Sequence, residues 1–99
     1  MPKALYITTE GDIKEVSPTN GKSFSYNELR AFVDGMVEIV PLPSGRELVC
    51  NEEGKLDGLE INQKATKIWK QEYPIEKYPN NNDALVVGNV LITDAEFLK

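Results

Sequence analysis

Every apolar stretch in this chain is short, and each is broken by proline, glycine or a charged residue before it can grow. A bilayer crossing needs ~20 consecutive apolar residues, so no membrane span is expected. The same punctuation limits the chain to short strands and helices around one core. At 99 residues the chain can bury roughly two thirds of its extended surface, and a single domain over residues 1–99 is expected. With 40% hydrophobic and 27% charged residues, the composition is that of an average globular protein.

Residues 3–9 are rich in aromatic and β-branched types, and after Glu10-Gly11 the run from Asp12 to Val16 alternates, which predicts a β-hairpin. Ser17 to Lys22 concentrates turn formers and reads as a loop. Ser25-Tyr26-Asn27-Glu28 is a capping box, in which the Ser25 hydroxyl and the Glu28 carboxylate each satisfy a backbone N–H at the helix start. Leu29, Phe32 and Val33 then share one helical face, and Gly35 suits a left-handed stop, so a helix is expected over 26–34.

Met36 to Leu42 and Arg46 to Asn51 read as a second hairpin about Pro41-Leu42-Pro43-Ser44-Gly45. Asn62 is an expected N-cap for a second helix that buries Ala65, Ile68, Trp69 and Tyr73 and ends at Pro74. Ile75 to Asp83 is too polar and turn-prone for a regular element. Ala84 to Ile92 predicts the last strand, with Gly88-Asn89 as a bulge, and Thr93 to Glu96 a closing helical turn. The expected fold class is α+β, a small mainly antiparallel sheet with two helices on one face, in the order ββαββαβ.

The chain has no histidine and Cys50 is its only cysteine. Intramolecular disulfides, Cys/His zinc sites and imidazole-activated nucleophiles are therefore excluded. Cys50 closes the run Glu47-Leu48-Val49-Cys50, and a buried packing role is expected for it. The net charge of −5, with both halves acidic, disfavours direct nucleic-acid binding because it repels phosphate. Met1 to Leu5 lacks the apolar run of a secretory signal, so a cytoplasmic location is expected.

Asn20-Gly21-Lys22-Ser23 has the end of a phosphate-binding loop but Val16 where the first glycine belongs. The acidic stretch Glu52, Glu53, Asp57, Glu60 is interrupted by Lys55 and lacks calcium-loop spacing, so it reads as a solvated turn. No metal or other cofactor is expected. Among the aromatic residues, Trp69 and Phe32 fall on core stripes, whereas Tyr73 and Tyr78 flank the long loop and are the exposed binding candidates.

Four groups of residues carry a resemblance: Ser25 to Leu29 with Val33 to Glu38, the run Asn51-Glu52-Glu53-Gly54-Lys55-Leu56 with Gly58-Leu59, then Asn62 with Ala65-Thr66, and finally Val87 to Ile92. Together they resemble a family of domains of unknown function found in phages, plasmids and conjugative elements. Asp34 stands where members often have glycine. The resemblance implies a small accessory protein of mobile DNA, without an established activity.

The polar residues Asn51, Glu52, Lys55 and Asn62 crowd one strand-to-helix connection, and loops held on a sheet are where binding groups concentrate. A scaffold reading competes with this one: Gly54 for a turn, Leu56 and Leu59 for the core, Asn62 for the helix cap. The leading expectation is a non-enzymatic module that engages a host protein or a small ligand through residues 51–62 and 73–83. The alternatives are an acidic DNA mimic that blocks a host nuclease, weakened by Lys64, Lys67 and Lys70, and an enzyme of unrecognised type.

Overall fold

The computed structural model describes residues 3–74, 77 and 85–98. Strands β1 (Ala4–Ile7) and β2 (Ile13–Val16) form the first hairpin. Its turn is closed by the Asp12 N–H donating to Thr8 Oγ1. The capping box then starts α1 (Tyr26–Val33): the Glu28 N–H donates to Ser25 Oγ at 3.1 Å and the Ser25 N–H donates to Glu28 Oε1 at 2.9 Å. The second Glu28 oxygen accepts from the Thr19 N–H, which ties down the preceding loop. These backbone bonds from Ser25 and Thr19 hold the Glu28 carboxyl below its ordinary range.

The left-handed residue that stops α1 is Asp34, at φ 57°, and not the Gly35 expected from the sequence. Aspartate tolerates this conformation better than most side chains. Strands β3 (Val37–Pro41) and β4 (Arg46–Asn51) make the second hairpin, followed by α2 (Gln63–Glu72), β5 (Val90–Asp94) and a closing 3-10 turn at Ala95–Leu98. Among the described residues the strands form one antiparallel sheet in the order β2-β1-β5-β4-β3. The α+β class and the ββαββαβ order are as expected from the sequence.

The helices do not share a face, which corrects the expected placement. Side chains alternate across a strand, and the two apolar clusters divide by that parity. Ala4, Val49 and Leu91 pack with Leu29 and Val33 of α1, whereas Ile7, Leu48, Val90 and Ile92 pack with Ala65 of α2. The physical reason lies in β5, where Val90 to Thr93 are buried without interruption. A strand buried on consecutive residues needs cover on both faces.

The last strand also starts later than expected. Gly88 adopts φ +75° and Val87 makes only an isolated bridge to Ile61, so regular pairing begins at Val90. Of the long loop expected from Ile75 to Asp83, only Lys77 lies among the described residues. No helix among the described residues is long and apolar enough to cross a membrane.

Candidate functional site

The connection from Asn51 to Asn62 is built by side chains that satisfy backbone. Asn51 Oδ1 accepts from the Glu53 N–H at 2.8 Å, an Asx turn, while its Nδ2 donates to the carbonyls of Val33 and Asp34 at the end of α1. Gly54 sits at a close approach: a Cβ there would lie 3.0 Å from Val87 Cγ2, so the valine methyl would have to shift. At the other end Asn62 is wholly buried. Its Oδ1 accepts from the Ala65 N–H as the α2 cap, and its Nδ2 donates to the carbonyls of Ile7 and Gly88 at 3.0 and 2.9 Å.

Thr66 completes this frame. Its hydroxyl accepts from the Val86 N–H at 2.9 Å and donates to the Val86 carbonyl at 3.3 Å. Residues 60–62 and 86–88 are further joined by backbone bonds from Asn62 to Val86 and from Gly88 to Glu60. The far end of α2 is fastened to the second hairpin, where Glu72 accepts from Ser44 and pairs with Arg46 at 2.8 Å. Burial pushes the Glu72 carboxyl up, but the bonds from Arg46 and Ser44 outweigh it and hold the group below its ordinary range.

Between these fastenings lies a pocket of about 250 Å³ on the α2 side of the β3–β4 hairpin. Val40 and Leu48 contribute its apolar sheet side, Trp69 comes from α2, and residues 85–87 form a third wall. Glu38, Cys50, Asn51, Glu52 and Lys55 supply its polar groups. Register explains the grouping: Glu38 lies opposite Cys50, and the Glu52 N–H donates to the Met36 carbonyl, so the ladder continues to Glu52. Glu38, Cys50 and Glu52 therefore share one face of the hairpin.

Of the residues singled out in the sequence, Asn51, Glu52 and Lys55 come together on this pocket. Asn62 is spent inside the frame, and Tyr73 stands behind Trp69, its ring centroid 4.5 Å from the indole and its hydroxyl donating to the Pro41 carbonyl. Tyr78 lies outside the described residues. Leu56 is 87% exposed and lines the pocket, so it is not the core residue that the scaffold reading assigned. Glu52 and Lys55 are both exposed, and no ion pair among the described residues occupies either of them.

Sequence reasoning missed Glu38, and it read Trp69 as core packing only: the indole does pack against the α2-side cluster, but it is half-buried and also lines the pocket. The expected hairpin carried a usable signal for Glu38: a turn at residues 41–45 places it across from Cys50. The Cys50 thiol donates to Glu38 Oε1 at 3.8 Å. Burial, aided by the Glu38 charge, pushes it up to about 11, which leaves it protonated at neutral pH. Among the described residues no group of three or more acidic or cysteine side chains is arranged to hold a metal ion.

No curated protein and no solved structure matches the chain. The family described as a domain of unknown function, DUF3846, matches residues 2–97, and the chain belongs to that family.

Proposed function

We propose that this DUF3846 domain is a non-enzymatic accessory binding module of a mobile genetic element, and that the pocket between Trp69 and the β3–β4 hairpin takes a small ligand. The mobile-element part rests on the resemblance carried by residues 51–66. The binding part rests on one observation: an apolar recess, held open by a frame of buried side chain-to-backbone bonds, with charged groups at its mouth, Glu52 and Lys55, that are in no ion pair among the described residues. Ligand sites have this make-up, mostly apolar walls with a few placed polar groups.

A nucleophile–base pair has no support in this pocket. The chain lacks histidine, and Cys50 is pushed up to about 11 beside a carboxylate, the opposite of an activated thiol. The acidic-decoy alternative is weakened by the exposed lysines of α2, Lys64, Lys67 and Lys70, which interrupt the negative surface.

Trp69 is the only tryptophan, so its emission reports the pocket without labelling. A fragment library screened by Trp69 emission should return binders to the native protein, and ligand-observed NMR, which does not depend on the added indole, should find none for Val40→Trp, which fills the recess. Val40 is only half-buried, so that variant should keep its melting temperature within a few degrees. Binding that survives unchanged in a folded Val40→Trp protein overturns the pocket as the site.

A further inference from the structure

The charges at the mouth of the pocket are unequal. Glu38 and Glu52 are diagonal neighbours across the β3–β4 ladder, a relation that places such residues roughly 7–8 Å apart. Both carboxylates are exposed and neither is in an ion pair among the described residues. Among the described lining residues Lys55 is the single cation. Two like charges beside an apolar recess make a local potential that favours a positive group, and the low-dielectric walls focus it. The Glu38 carboxylate is engaged with the pocket lining, since the Cys50 thiol donates to its Oε1 at 3.8 Å.

Resting on the binding-module reading, we infer that the ligand class is a small organic amine: an apolar body of roughly ten non-hydrogen atoms against Trp69, Val40 and Leu48, with its ammonium between Glu38 and Glu52. The recess, at about 250 Å³, falls below the ~300–1,000 Å³ of drug-sized sites, which limits the body to about one ring and a short chain. The ammonium donates to the two carboxylates at the mouth, where it keeps part of its hydration. An anion of the same shape would face both carboxylates, and a neutral isostere would gain only the apolar walls.

Three isosteres separate these cases: 2-phenylethylamine, 2-phenylethanol and 3-phenylpropanoate, titrated against Trp69 emission and checked by chemical-shift mapping. Fragments of this size bind in the roughly millimolar range. The amine should bind about tenfold tighter than the alcohol at low salt, and the acid weaker than the alcohol. The double variant E38Q/E52Q should bring the amine to within about twofold of the alcohol while leaving the alcohol unchanged. An alcohol or acid that binds as tightly as the amine overturns the ligand class and leaves the pocket standing. If none of the three perturbs Trp69 at saturating concentrations, and the fragment screen is equally silent, the binding-module reading fails with it.

Discussion

Asn62 has no exposed surface, yet its side chain is fully used, accepting from Ala65 and donating to Ile7 and Gly88. Replacing it with alanine removes a helix cap and leaves two buried carbonyls without this donor. A cap costs about 1 kcal/mol and each orphaned buried group roughly 1–3 kcal/mol, so Asn62→Ala should lose about 3–7 kcal/mol by denaturant midpoint. Asn62→Asp should be no better, because a carboxylate would face both carbonyls. A loss of only about 1 kcal/mol would show that the cap is its whole role. Cys50 gives a second residue-level prediction. Its thiol, raised to about 11, should react slowly with iodoacetamide at pH 8, accelerate as pH approaches that value, and react rapidly in urea. Glu38→Gln removes the charge that, beside burial, holds it up and should speed native labelling at fixed pH. Because the folded value lies above the unfolded one, the thiol's contribution to stability is complete below the unfolded value and is lost as pH rises toward 11.

At the level of elements, α1 rests on the reciprocal Ser25 and Glu28 bonds. Ser25→Ala should lose about 1 kcal/mol and Ser25→Asp very little, measured by thermal or denaturant unfolding. Equal losses for both would show that the hydroxyl does not cap. The Glu28 half is pH-dependent: its carboxyl sits below the ordinary range, so its contribution is present above the unfolded value and lost as pH falls through the folded one. Both helix starts were legible in the sequence because capping is a local signal, fixed by side chains within three residues of the backbone they satisfy. The bounds of β4, Arg46–Asn51, were legible for a similar reason, a short turn joining it to β3. The sides of the sheet were not, since a helix's own stripe says which face it buries and nothing about which face of a distant strand it meets. Only the unbroken burial of Val90 to Thr93 carried that information, and in sequence it reads equally well as one strand with a bulge. The candidate site was legible by half. Glu52 and Lys55 announced themselves as polar residues beside a turn, whereas Trp69 looked like any core aromatic because the sheet side that it overlooks is set by long-range pairing.

Among the described residues the two hairpins do not pair with each other and are joined in the sheet through β5. Ala4 pairs with Thr93 and Leu48 with Ile92, so the sheet is complete only when the last strand enters between segments that precede it. The same strand serves both layers: Leu91 faces the α1 cluster while Val90 and Ile92 face the α2 cluster. Neither layer should therefore survive alone, and a lesion on one side should be felt on the other. Leu91 has no exposed surface, and Leu91→Ala should cost about 2–5 kcal/mol through the cavity it leaves. Trp69 packs with the opposite cluster, so its emission reports the α2 side while far-UV circular dichroism follows both helices. In one cooperative unit the two midpoints move together in the Leu91→Ala variant. A Trp69 transition that stays at the wild-type midpoint while the circular dichroism transition shifts would mean that β5 does not couple the layers, and that the pocket beside Trp69 can form without the α1 side of the sheet.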